Sequence, residues 1–171
     1  DLMIWQFPLW WFGLPAVLKG WVDRVFAMGR IYGGEKIYEG GVFAGKRAML
    51  SLTTGGPAAA YRQGGFNGDI DGILRPIQRG MLQFVGFHVL APHIVYAPVR
   101  LSAEQRHQAL TDYARRLRDL QRDFGDRLTL RISVDHWSQA YHDTERGAGT
   151  FDKTLEGMRW LRDAGIRMAV A

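Results

Sequence analysis

From its first residues the chain alternates short apolar runs with amphipathic stretches. Residues 2–7 are one apolar run stopped by Pro8, the pattern of a strand covered on both faces. Gly13 and Pro15 open an amphipathic helix over 14–27, with Leu18, Trp21, Val22, Val25 and Phe26 along it. Residues 29–45 are rich in glycine and read as loop. A second buried strand over 48–52 ends in Thr53-Thr54-Gly55-Gly56-Pro57, and a loop through Tyr61 and Asn67 follows. Ile73, Leu74, Ile77, Met81, Phe84 and Val85 predict a helix over 70–86, with Pro76 expected to kink it or to sit in its first turns. A third strand falls within 89–96, weakened by Pro92. Ser102 and Gln105 form a capping-box pattern that opens a helix over 103–123.

Strand, helix, strand, helix, strand, helix is the rhythm of a parallel sheet with crossover helices. At Gly125 the pattern restarts. Leu128 to Val134 alternates like a strand with one wetter face, and His136 to Gly149 is polar loop. Thr150 then caps a helix that Gly165 closes, and a strand over 166–170 follows. The expectation is an α/β chain in two pieces, a three-strand parallel sheet over 1–124 and a partial βαβ unit over 125–171. The second piece is too small to close a barrel, which needs eight strands to enclose its side-chain layers.

Composition narrows the chemistry. Among the 171 residues there is no cysteine, which excludes disulfides, thiolate zinc sites and cysteine nucleophiles, and fits a cytoplasmic protein. The net charge of +5 is confined to residues 1–124, where 15 Lys/Arg face 10 Asp/Glu; the rest of the chain is balanced. Much of the excess sits around Arg115, Arg116, Arg118 and Arg122, interleaved with Asp112, Asp119 and Asp123. That pattern reads as a solvated helix face, not as a nucleic-acid stripe. The aromatic opening cannot span a membrane, because Pro8, Gly13, Pro15 and Lys19 break it well short of the ~20 residues required. A chain that starts at Asp1 is expected to be a fragment or a processed product.

Gly40 to Lys46 imitates a phosphate-binding loop, but Arg47 stands where a Ser or Thr is needed and the motif precedes a strand instead of following one. The five histidines show no metal-ligand spacing, so no metal site is expected. Two segments carry more. Pro8, Leu9, Trp10, Trp11 and Phe12 end the first strand; Thr53, Thr54, Gly55 and Gly56 end the second. In an open α/β sheet, ligands bind outside these carboxyl ends. An aromatic ledge beside a glycine turn suits a planar heteroaromatic ring that needs apolar contact and backbone N–H donors. Taken alone, the same residues also fit a core and an ordinary turn.

Further matches decide between those readings. Gln6-Phe7-Pro8-Leu9, Trp11-Phe12-Gly13, Leu18-Lys19-Gly20-Trp21, Arg24-Val25-Phe26, Thr53-Thr54-Gly55-Gly56, Gly68-Asp69, Pro76-Ile77-Gln78 and Gly86-Phe87 resemble the flavin-dependent NAD(P)H:quinone oxidoreductase family, of flavodoxin-like fold, over residues 1–124. The resemblance implies two-electron reduction of a quinone, with NAD(P)H as donor, FAD (or FMN) as cofactor, and a homodimer. It implies that Pro8 through Phe12 line the flavin, that Thr53 through Gly56 hold its polar edge, that Tyr61 hydrogen-bonds beside it, and that Tyr32 faces the substrate. Asn67 stands where animal members have a histidine working with that tyrosine, so a titrating histidine relay is not expected. The family's opening strand and phosphate loop are expected before Asp1, so this chain is expected to hold flavin poorly and its own catalysis is left open. Relatives that serve as ancillary subunits of potassium efflux systems, and an inactive fusion product, are the other readings.

The tail differs. Leu130 to Asp135, His142-Asp143, Glu145-Arg146-Gly147 and Leu161 to Gly165 resemble a middle segment of a radical S-adenosylmethionine barrel, without that family's three-cysteine loop. A generic βαβ appendage fits the same residues.

Overall fold

The computed structural model describes residues 1–125, 128–132 and 137–170, with the backbone alone described at 129, 131, 132, 169 and 170. The expectations for Ser133, Val134, Asp135 and His136 lie outside the described residues. The chain divides into two compact units, Met3–Tyr113 and Asp1–Leu2 with Ala114–Ala171.

The first unit is built on β1 (Leu2–Pro8) and β2 (Arg47–Thr54), with β3 (His88–Val89) and β4 (His93–Tyr96) both paired to β2. All run parallel. β3 and β4 are the single strand expected over 89–96, cut in two. Their registers, Arg47 with His88 and Ser51 with His93, follow one edge of β2. Pro92 lies between them and cannot donate to a ladder, so the pairing lapses there.

Side chains alternate across the sheet. Trp5 and Phe7 of β1 and Ala48, Leu50 and Leu52 of β2 enter one core. Val22 of α1 (Ala16–Val25) and Leu74 and Ile77 of α2 (Ile70–Ile77) join it. Gln6, Ser51 and Thr53 point to the other face, towards Ala109, Leu110 and Tyr113 of α3 (Ala103–Phe124). The capping box that opens α3 is reciprocal. Ser102 N–H donates to Gln105 Oε1 at 2.9 Å, and Gln105 N–H donates to Ser102 Oγ at 3.2 Å.

The helix expected over 70–86 is not one α-helix. It stops at Ile77, and Gln78–Gln83 is π-helical. Pro76 sits in the last turn of α2, not in its first turns. Lacking an N–H and crowding the carbonyl four residues back, it breaks the ladder there, and the wider turn follows. The glycine loop before β2 has a packing role. A Cβ at Gly41 would lie 2.4 Å from the Val85 carbonyl carbon, so only glycine lets that loop reach the chain after the π-helix.

The second unit pairs β5 (Thr129–Ile132) with β6 (Arg167–Val170) in parallel, with α5 (Thr150–Asp163) between them in sequence, a βαβ unit. The stretch 136–149, expected to be polar loop, contains α4 (Gln139–Arg146). Only His142 of that helix is buried, so no apolar stripe announces it. Its anchor is Asp143, whose carboxylate accepts from Gly149 N–H and Phe151 N–H, each at 2.8 Å, and from Thr150 Oγ1 at 3.2 Å. These bonds cap the start of α5 from outside.

Candidate functional site

Two strand ends meet through one backbone bond: Leu9 N–H donates to Thr53 O at 2.8 Å. Leu9 is buried beneath it. Immediately after, the chain reverses, with Gly13 N–H donating to Trp10 O at 2.9 Å and Trp10 N–H to Gly13 O at 3.2 Å. The two central residues, Trp11 and Phe12, have φ of 50° and 60°. Such a reversal favours Asn-Gly, because the left-handed region costs a side-chain-bearing residue roughly 1 kcal/mol or more. Two aromatics are held there instead, and they face outward: Trp11 is 97% exposed, Trp10 61% and Phe12 50%. A strained turn that displays aromatics buries little of its own, which marks a surface made for contact.

Beside this ledge lies the second turn. Thr54 is buried, and its Oγ1 donates to Gly56 O at 2.8 Å, closing Thr54-Gly55-Gly56 into a tight bend. No atom lies within 4 Å of where a Cβ at Gly55 would be, so that side of the turn is open. The Cβ direction of Gly56 is filled: it would lie 3.1 Å from Tyr61 Cε2 and 3.3 Å from Asn67 Nδ2. Asn67 N–H donates to Ala60 O at 2.8 Å, drawing its loop back over the 3-10 turn Ala58–Tyr61. Thus Thr54, Gly56, Tyr61 and Asn67 form one cluster at the carboxyl end of the sheet. Tyr32 belongs to another group. Its ring meets Phe84 at 5.6 Å, and Phe84 meets Tyr38 at 5.4 Å. Among the described contacts, none links Tyr32 to Tyr61.

Pro8 and Thr53 also line a pocket of about 450 Å³ on the α3 face. Its polar residues are Gln6, Ser51, Thr53, His93, Arg106 and Tyr113. Tyr113 stacks on His93 at 4.7 Å and donates its hydroxyl to Gln6 Oε1 at 3.0 Å. Burial pushes the Tyr113 phenol up, opposed by its hydrogen bond with Ser51. Arg106 lines the pocket while donating to Leu101 O at 2.6 Å.

Sequence reasoning passed over this pocket and over Tyr96. That tyrosine ends β4 opposite Thr54, and its ring lies 5.9 Å from Tyr61. Its phenol is pushed up, by burial first and then by the carboxylates of Asp71 and Asp69 and by Tyr61. The rule that picks out the carboxyl ends of the first two strands points equally to the third; the signal was obscured by Pro92 inside it.

A parallel sheet with helices packed on it, and two tight turns at its carboxyl edge, define an α/β protein of the doubly wound class. The chain belongs to the flavodoxin-like fold family, whose sequence profile matches residues 1–120. It is 47% identical over 120 residues to the human protein named ribosyldihydronicotinamide dehydrogenase [quinone], covering 70% of this chain and 52% of that one. The chain spans about half the length of the curated relatives it matches. A solved structure described as a quinone reductase from Klebsiella pneumoniae superposes with a TM-score of 0.67 at 47% identity, covering 70% of this chain and 49% of that one. General stress protein 14 of Treponema denticola, solved in complex with FMN, superposes with a TM-score of 0.60 at 29% identity, covering 71% and 67%.

Proposed function

We propose that this chain carries the ring-facing loops of a flavin-dependent NAD(P)H:quinone oxidoreductase. The observation that carries the reading is the Leu9 to Thr53 bond, which sets an exposed aromatic ledge against an open glycine turn with a phenol and an amide beside it. A flavin fits this donor set: Trp11 and Phe12 offer apolar aromatic surface, and Gly55 leaves room for a planar edge to approach backbone N–H groups. Pro8, Leu9 and Trp10 would shape the ledge, and Thr53, Thr54 and Gly56 would hold the polar edge. The group is FAD or FMN; the FMN in the Treponema neighbour favours the second no more than the first, because the ring portion is common to both.

When bound, a flavin supplies two-electron hydride chemistry. The chain's own residues would orient the reactants and manage the proton. The phenol of Tyr61 carries an O–H able to donate a hydrogen bond; the amide of Asn67 can donate but has no ionisable proton. Reduction of a quinone carbonyl takes up a proton as well as a hydride, so Tyr61 is the group we assign to hydrogen-bond the acceptor oxygen. Tyr32 would face the substrate from its own cluster with Phe84. The donor would be NAD(P)H, as in the name of the rat relative NAD(P)H dehydrogenase [quinone] 1, to which the chain is 46% identical over 117 residues. We place the activity in the cytoplasm, where reduced nicotinamides are available. No helix among the described residues is long and apolar enough to cross a membrane.

The same reading includes a homodimer. Val17 on α1 and Met28 just after it are 84% and 77% exposed. Exposed apolar side chains of this kind suit a self-complementary two-fold contact.

The test is a visible-absorbance titration of the purified chain with FMN and FAD, followed by quinone reduction with NADH and NADPH. Because only the ring-facing loops are proposed, flavin binding is expected to be weak but saturable, at micromolar concentrations or above, with turnover at saturating flavin and with Tyr61→Phe retaining flavin and lowering kcat by about a hundredfold. Absence of both binding and turnover would overturn the reading.

A further inference from the structure

Tyr96 has no role in the reading above, yet it closes a ring of contacts around Tyr61. The β2–β4 register sets Tyr96 opposite Thr54. Just beyond it, Ala97 N–H donates to Thr54 O at 2.9 Å. Ala97 itself is buried and held at φ 46°, a left-handed conformation that turns the chain sharply after Tyr96. From Thr54 the path continues through Oγ1 to Gly56 O, then from Gly56 to the Tyr61 ring packed against it. The Tyr61 ring meets the Tyr96 ring at 5.9 Å and 42°, which returns the path to its start.

The two tyrosines have unequal anchors. Tyr96 stands on a strand paired over four residues. Tyr61 ends a single 3-10 turn, in a loop held by Ala60 N–H to Pro57 O and Asn67 N–H to Ala60 O. Lateral packing sets the direction of its ring. Gly56 supplies one wall and Tyr96 another. On this geometry we propose that Tyr96 is a positioning residue: its ring, not its hydroxyl, fixes the orientation of the Tyr61 phenol at the carboxyl end of the sheet. The functional consequence rests on the assignment of Tyr61 given above. A displacement of about 1 Å at a reacting group is enough to cost a hundredfold in rate.

The experiment compares Tyr96→Phe, Tyr96→Leu and Tyr96→Met in the full chain. Tyrosine rings carrying carbon-13 are followed by NMR, with the Tyr61 signal assigned from Tyr61→Phe. In Tyr96→Leu and Tyr96→Met the Tyr61 ring signals should shift and broaden while those of Tyr32 and Tyr38 stay in place. In Tyr96→Phe they should remain near the wild-type positions. With FMN or FAD added, kcat for quinone reduction should fall about ten- to a hundredfold in the Leu and Met variants, with KM within about twofold, and should recover in the Phe variant. An unmoved Tyr61 signal in the non-aromatic variants overturns the proposal. So does an unchanged kcat, or a Phe variant as impaired as the Leu one. If the wild-type chain itself shows no turnover, the flavin-site reading fails, and the NMR comparison alone decides whether Tyr96 positions Tyr61. Should the Leu variant not fold, the Met variant, which keeps bulk without the ring, carries the comparison.

Discussion

Individual residues in the two turns trade stability for display. Phe12 holds φ at 60° while half of its surface stays exposed, so its ring returns little burial for the strain. Phe12→Gly is therefore expected to raise stability by about 1 kcal/mol, measured by denaturant unfolding, and to weaken flavin binding in the same titration. A fall in stability would show that the ring packs more tightly than its exposure implies. Gly56 works in the opposite sense. A methyl there would press on Tyr61 and Asn67, and neither wall is the far end of a long flexible chain. Gly56→Ala should cost about 1–3 kcal/mol and displace the Tyr61 ring, which the tyrosine NMR signals would report.

Among the elements, the caps of α3 and α5 make separable predictions. Ser102 accepts from Gln105 N–H, so Ser102→Ala should destabilise the chain by about 1 kcal/mol, read from the shift in denaturation midpoint. Asp143 reaches across from α4 to the start of α5. The Phe151 N–H, then the Gly149 N–H, with Thr150 and His142 helping, hold its carboxyl below the usual carboxylate range. A carboxylate depressed in the folded state contributes stability that is fully present above its unfolded pKa of about 3.9 and is lost as pH falls through the folded value. The second unit should therefore loosen in acid below about pH 4, followed by the Trp160 environment in fluorescence. Asp143→Asn should abolish that acid dependence and lower stability at neutral pH. The Trp160 ring is a suitable probe because Arg118 lies over it at 5.1 Å.

For the molecule as a whole, the exposed apolar side chains on α1 and just after it make the assembly testable without touching the core. Val17 and Met28 are exposed and lie outside the central cluster, so Val17→Glu with Met28→Glu should leave the fold intact by circular dichroism and lower the unfolding midpoint only by the association lost. Sedimentation should show a wild-type dimer and a monomeric double variant. A wild-type monomer at micromolar concentration would remove the homodimer from the proposed function.

Local sequence determined the strands, the capping box and the two turns at the strand ends, because each depends on near neighbours: apolar runs for buried strands, Ser102 with Gln105 for a helix start, glycines and aromatics at strand ends. The gathering of Thr54, Gly56, Tyr61 and Asn67 was legible for the same reason, since the sheet's carboxyl edge gathers whatever follows each strand; Tyr32, assigned through the resemblance alone, lies in a separate group with Phe84. What lay beyond that reading depends on partners far away in the chain. The chain just after the π-helical stretch packs against the loop at Gly41, more than forty residues earlier in the sequence. The polar α4 is tied down by Asp143 bonding to the next helix instead of by an apolar stripe of its own. Tyr96 gains its place beside Tyr61 only through the register of β4 on β2. Residue pattern specifies which face of an element is buried; only tertiary structure decides which two faces meet.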